Sequence, residues 1–309
     1  MTTLLLHHPA ALEHQIPPGH PERPDRIRAI ERALSVERFD ALAREMAPRA
    51  STEALVLAHP ERYVRAIENA APREGLVHID ADTSMSPGTY EAALRGAGAA
   101  VAAVDQVMTA TAKNAFSAMR PPGHHAERQQ AMGFCFFNNA AIAARHAQRA
   151  HGAERVAIVD WDVHHGNGSQ DIFWSDPSVM YCSTHQMPLY PGTGAASERG
   201  EHDTIVNAPM RPGDGTETFR AAFETTILPR LEAFRPDLVV ISAGFDAHWR
   251  DPLANINLTE ADFGWATRKL MDLAERKAGG RVVSLLEGGY DLEGLARSVE
   301  EHVAALMDH

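Results

Sequence analysis

The chain has 309 residues, a net charge of −12, an apolar fraction of 44% and two cysteines. It shows neither the Lys/Arg cluster of a nucleic-acid binder nor the roughly 20-residue apolar run of a membrane span. Direct nucleic-acid binding and membrane embedding are therefore excluded. Cys135 and Cys182 lack the spacing of a thiolate metal site and fit core positions in a reducing compartment.

In chain order, residues 3–6 follow no basic segment and read as a first strand rather than a leader. Helical patterns cover 25–34, 60–70 and the Ala-rich 87–111, with Pro87 just inside the last start. A strand is expected at 115–119, a helix at 138–149, and strands at 156–159 and 179–183. A helix at 216–234, a strand at 238–241, a helix at 259–278, a strand at 282–286 and a helix at 292–307 complete the pattern. Thr259 stands where an N-cap belongs. Alternating strands and helices predict a parallel α/β sheet covered on both faces. No linker, repeat or low-complexity tract divides the chain, so 1–309 reads as one domain.

Chemistry gathers just past four of these strands. Asp160-Trp161-Asp162-Val163-His164-His165-Gly166-Asn167-Gly168 puts two carboxylates and two imidazoles within six residues. In extended chain, alternate residues share a face, so Asp160, Asp162 and His164 point the same way. A carboxylate and an imidazole two apart on a rigid strand end suit Zn²⁺, and also Fe²⁺ or Co²⁺. Arg120-Pro121-Pro122-Gly123-His124-His125, Ala243-Gly244-Phe245-Asp246 and Glu287-Gly288-Gly289-Tyr290 each follow another strand. Ligand sites of open parallel sheets form at carboxyl strand ends, so four such fragments point to one shared site. Asp246 is offered as a third metal ligand because it ends a strand after a glycine.

These segments resemble the histone deacetylase family, which also holds acetylpolyamine amidohydrolases and acetoin-utilisation proteins. Gly19-His20-Pro21-Glu22-Arg23-Pro24, Gly133-Phe134-Cys135-Phe136-Phe137-Asn138-Asn139 and Pro191-Gly192-Thr193-Gly194 add to the likeness, which spans residues 14–295. Trp161 and Asn167 are similar to class II and its bacterial relatives, where class I carries Asp at the second position. The resemblance implies the arginase/deacetylase fold, an eight-stranded parallel sheet with helices on both faces.

It further implies Asp162, His164 and Asp246 as ligands of one catalytic Zn²⁺. His125, oriented by Asn167, would be general base for the attacking water and then acid to the leaving amine. His124, held by Asp160, would be an electrostatic helper, and Tyr290 would donate to the oxyanion. His165 alternates away and is assigned a structural role. Gly133, Phe134, Tyr190, Leu253 and Gly288 would bind substrate, with Phe134 and Tyr190 walling an acyl-lysine channel. The family's K⁺ site maps onto Asp160, Asp162, His164, Ser183 and Thr184, and a second one near Phe173 and Val179.

The expected function is zinc-dependent removal of acetyl, or another short acyl group, from lysine side chains. The alternative is an acetylpolyamine amidohydrolase. By resemblance, the position seven residues after Asp246 carries Glu in the polyamine-specific member and Leu in lysine deacetylases; here it is Leu253. Arginase chemistry is set aside because its Asp-rich two-metal pattern is missing. A silent binding protein is set aside because no ligand and no tyrosine is lost. Acidity that keeps a protein soluble, Ala/Arg richness and few cysteines suggest a bacterial cytoplasmic enzyme, with oligomeric state left open.

Overall fold

The parallel sheet is built from short runs of β-branched and apolar residues that are buried on both faces. A computed structural model of the chain describes residues 2–309. Its strands are β1 (Thr3–His7), β2 (Ala43–Met46), β3 (Val77–His78), β4 (Ser84–Met85), β5 (Asn114–Ser117), β6 (Val156–Asp160), β7 (Val179–Gln186), β8 (Ile205–Met210), β9 (Leu238–Ala243) and β10 (Val282–Leu286). Eight of them form one sheet in the order β2-β1-β5-β10-β9-β6-β7-β8, all pairs parallel, while β3 and β4 make a small antiparallel ladder. In the centre, Val156 of β6 is in register with Leu238 of β9 and Val179 of β7, and every residue of β6, β9 and β10 is buried.

The helices are α1 (Ala10–Glu13), α2 (Asp25–Ala33), α3 (Thr52–Leu55), α4 (Glu61–Ala70), α5 (Thr89–Met108), α6 (Asn139–His151), α7 (Asn167–Phe173), α8 (Thr216–Ala222), α9 (Leu228–Phe234), α10 (Glu260–Lys277) and α11 (Leu292–Asp308). Helices α5 and α6 pack on each other and on β5, β10, β9 and β6; α2, α10 and α11 pack together on the other face. Alanines and glycines let α5 lie close; a Cβ on Gly98 would stand 2.0 Å from the Pro48 carbonyl oxygen. Asn138 caps α6 by accepting from the Ala141 N–H, and Thr259 with Asp262 forms a capping box for α10. The expected helix over 216–234 is continuous but relaxes into a π-turn at Phe223–Ile227. Pro87 stands one residue before the Gly88 N-cap of α5, not inside the helix. Sequence periodicity missed β2 and β8, the two edges of the sheet. Ala-Arg-Glu-Met in β2 is largely exposed, and β8 carries Asn207 and Pro209.

Candidate active site

The chains leaving the carboxyl ends of β5, β6, β7, β9 and β10 meet at one point, as parallel sheets dictate. There His164 Nδ1 lies 3.1 Å from Asp162 Oδ1 and 3.0 Å from Asp246 Oδ2. All three side chains are buried, and their ligand atoms fall within 4.8 Å of one another. The backbone comes unusually close. A Cβ on Gly288 would stand 2.4 Å from Asp246 Oδ2 and 2.6 Å from Asp162 Oδ2, and Gly288 N–H instead donates to Asp162 Oδ2 at 2.8 Å. Asp246 Oδ1 accepts from Val163 N–H at 2.8 Å. Asp246 thus has Oδ1 fixed by backbone and Oδ2 turned to His164, while both oxygens of Asp162 accept backbone N–H groups, Oδ1 that of His164 at 2.9 Å and Oδ2 that of Gly288.

The electrostatics ask for positive charge at this centre. Burial and the neighbouring Asp162 push the Asp246 carboxyl up to about 7. Burial opposes a charge on His164, but the hydrogen bonds and charges of Asp162 and Asp246 carry it up to about 10. Among protein groups alone, a proton on His164 supplies the compensation. One imidazole nitrogen and two carboxylate oxygens in a triangle are also a fitting donor set for a divalent cation.

The adjacent histidines occupy different environments. His124 Nδ1 faces Asp160 Oδ2 at 3.0 Å, and Tyr181 OH donates to the same oxygen at 3.0 Å. Burial disfavours its charge, but Asp162, Asp160 and Glu287 outweigh that and raise its pKa well above the usual histidine range. His125 Nδ1 lies 2.7 Å from Asn167 Oδ1, while Asn167 Nδ2 donates to Glu127 Oε1 at 2.8 Å. Asn167 therefore offers His125 an acceptor, which makes His125 Nδ1 the donor and leaves Nε2 as the basic atom. Burial, then the charges of His124 and His164, hold His125 well below the ordinary range. The two rings sit 4.0 Å apart between centroids, yet one favours its charged form and the other its neutral form.

A cavity of about 210 Å³ opens above this centre, lined by Asp82, His125, Gly133, Phe134, His164, Leu189, Tyr190, Leu253 and Tyr290. Of the expected substrate residues, Gly133, Phe134, Tyr190 and Leu253 line it, whereas Gly288 lies below against Asp162 and Asp246. Tyr290 is 8% exposed; its ring lies under the Arg26 guanidinium at 5.0 Å and meets Phe134 edge-on at 6.0 Å. Burial and the Asp246 charge raise its phenol well above the usual range, so it stays a hydrogen-bond donor. His165 is outside the centre, at 2.7 Å from Thr193 Oγ1 and 3.1 Å from Gln170 Oε1. Asp160 is wholly buried, Ser183 Oγ pairs with His185 Nδ1 at 2.8 Å, and the buried Thr184 hydroxyl has no hydrogen-bond partner.

Sequence reasoning missed four contributors. Glu287 Oε2 accepts from the N–H groups of Gly123 and His124, at 2.7 and 3.1 Å, and so holds the histidine loop. The signal was present, since Glu287 ends a strand just as Asp246 does. Arg26 donates to the carbonyls of Gly289 and Glu287 and pairs with buried Glu22. Asp251, five residues after Asp246, is 7% exposed and turns inward to accept from Tyr290 N–H at 2.7 Å. The acid at the mouth is Asp82, whose carboxyl is raised by burial and by Asp80.

A family model of the histone deacetylase domain matches residues 20–306. The chain belongs to the histone deacetylase family. It is 43% identical over 277 residues to the histone deacetylase-like amidohydrolase of Pseudomonas aeruginosa, covering 88% of this chain and 73% of that protein. It is 41% identical to the chloroplastic histone deacetylase 14 of Arabidopsis thaliana, covering 96% of this chain and 75% of that protein. The crystal structure of the HDA15 HD domain superposes with a TM-score of 0.94 at 38% identity, covering 100% of this chain and 88% of that one. The fold is thus that of a deacetylase, and the family is one of deacetylases and amidohydrolases. Among the described residues no helix is long and apolar enough to cross a membrane.

Proposed function

We propose that this histone deacetylase family member is a zinc-dependent amidohydrolase that removes acetyl or another short acyl group from lysine side chains. The observation that carries the reading is the meeting, at the base of one cavity, of the Asp162–His164–Asp246 triangle, a neutral histidine and a tyrosine. Bound between these three ligands, Zn²⁺ would supply Lewis-acid polarisation of the amide and lower the pKa of water; Fe²⁺ suits the same donors.

The chain's own groups do the rest. His125 Nε2, freed by the Nδ1 bond to Asn167, takes a proton from the attacking water and returns it to the leaving amine. His124, kept charged beside Asp160, adds a positive field without needing to exchange its proton. Tyr290 OH donates to the oxygen that gains charge, from a ring fixed by Arg26 and a backbone fixed by Asp251. Phe134, Tyr190 and Leu253 offer an apolar sleeve to the aliphatic stem of an acyl-lysine. A K⁺ ion held by Asp160, the carbonyls of Asp162 and His164, Ser183 and Thr184 belongs to the same reading, and the orphaned Thr184 hydroxyl supports it.

Acetylpolyamine hydrolysis is the second reading. Leu253 gives an inner ammonium no partner, so its desolvation would go uncompensated, but Asp82 at the mouth offers a negative charge. Turnover of acetyl-lysine peptides, longer acyl-lysine peptides and acetylpolyamines by the purified, zinc-loaded protein separates the two. We expect the highest kcat/KM on an acyl-lysine peptide. Much faster hydrolysis of acetylspermidine would put the second reading in its place, and no hydrolysis of any amide would reject both.

A further inference from the structure

Among the described residues, one other cluster brings three metal-binding atoms within 4.8 Å of one another: Asp105, His146 and His151. Asp105 Oδ1 receives His146 Nε2 and His151 Nε2, each at 2.7 Å, and the two rings stand 5.7 Å apart at 78°. Both imidazoles thus converge on a single oxygen from different directions. The histidine side chains are 17% exposed and the carboxylate 49%, so the centre is framed by protein yet open to solvent.

The backbone favours a cation at this point. Asp105 lies in the last turn of α5, and His151 is the final residue of α6, before the left-handed Gly152. Two negative helix poles therefore meet at the cluster. Helices α5 and α6 pack closely, which places the ligands on rigid elements. Ligand atoms around a tetrahedral zinc lie about 3.3 Å apart, so each nitrogen–oxygen edge needs to open by only about 0.6 Å to seat an ion. The site is distinct from the active-site cavity. Asn138, at the start of α6, touches Ala126 and Ser169 behind His125, whereas His151 closes the other end, about 20 Å away along the helix.

The geometry points to a second metal site, in which Asp105, His146 and His151 bind one late first-row divalent cation, Zn²⁺, Ni²⁺ or Cu²⁺, and clamp α5 to α6. Two imidazoles and a carboxylate are borderline donors that select these ions over Mg²⁺ or Ca²⁺. Three protein ligands leave the outer position to water.

Equilibrium dialysis of the full-length protein against micromolar Zn²⁺, followed by metal analysis, tests this. The parent should hold one saturable equivalent more than His146→Ala/His151→Ala, whatever the active site retains. With the active site loaded beforehand in both proteins, further Zn²⁺ should raise the thermal midpoint of the parent and leave that of the double variant unchanged. Asp105→Asn keeps the shape of the cluster and should also lose the equivalent, which decides the matter if the double variant folds poorly. Hydrolysis by the variants should match the parent, since none of the three residues touches the cavity. Equal metal content in parent and variants, or only non-saturable adventitious uptake, would overturn the site.

Discussion

Gly133→Ala tests whether the position of His125 is set by the loop beside it. Gly133 has φ +56°, and a Cβ there would stand 2.4 Å from His125 Cδ2 and 2.7 Å from Cγ. Carbon atoms settle at about 3.5 Å, so ring or loop must move by about 1 Å. A displacement of that size at a reacting group costs on the order of 10²-fold in rate, about 2.7 kcal/mol. The left-handed backbone adds about 1–2 kcal/mol of destabilisation for any L side chain. Gly152→Ala separates the two effects, because φ there is +69° with nothing within 4 Å of the new Cβ. Steady-state kinetics on an acetyl-lysine peptide and thermal unfolding should show both variants destabilised, but only Gly133→Ala slowed about 100-fold in kcat. A Gly133→Ala rate within about threefold of the parent, or an equal loss in Gly152→Ala, would refute the reasoning.

Tyr290→Phe should keep fold and metal and lower kcat by roughly 10²–10³ with little change in KM, because its ring is already fixed by Arg26 and Phe134; parent-like kcat would remove the hydroxyl from the mechanism. Leu253→Glu should shift the kcat/KM ratio toward acetylspermidine by placing a charge in the cavity lining, and an unchanged ratio would show that this position does not select substrate. Two buried histidines kept neutral weaken the fold in acid, a loss that the raised Asp246 carboxyl partly offsets. Burial pushes His302 down to about 3 and His59 to about 4, so between about pH 6.5 and 4 the unfolded chain binds more protons and stability falls with pH. At pH 5 each contributes a loss of about 2 kcal/mol at most, measurable by urea unfolding. His302→Gln should lose less stability than the parent from pH 7 to 5, and equal losses in the two would contradict the assignment.

Much of the catalytic face was legible because its chemistry is local. Asp160, Asp162 and His164 lie within five positions, and β-branched runs marked β6, β9 and β10 without ambiguity. The resemblance joined the remaining segments to them. What escaped depends on long-range meeting. Arg26 reaches the Gly289 carbonyl across 263 positions, and nothing near Arg26 in the chain announces a buried arginine. Asp251 lies between Arg250 and Pro252, a setting typical of a surface acid, yet its carboxylate is drawn inward by the Tyr290 N–H. The edge strands were hidden for other reasons: β2 faces solvent and has no need of an apolar pattern, while the mostly buried β8 has its apolar run broken by Asn207 and Pro209. Helix α7 has no clear signal in the sequence, because Gly166 and Gly168 flank its first residue. A Cβ on Gly168 would strike the Ala126 carbonyl at 2.2 Å, so close packing and not flexibility accounts for that glycine.

In the proposed mechanism Asp162, His164 and Asp246 together hold the metal on which hydrolysis depends. Metal analysis and peptide hydrolysis of the parent and Asp246→Ala, side by side, address it most directly. The variant loses one ligand and the acceptor of the Val163 N–H, a stability cost of about 1–3 kcal/mol that the fold should absorb. We predict that Asp246→Ala keeps the parent's circular dichroism, holds one equivalent of metal less, and hydrolyses no acetyl-lysine peptide. A folded Asp246→Ala with the parent's full metal content, or with its activity, would contradict the account.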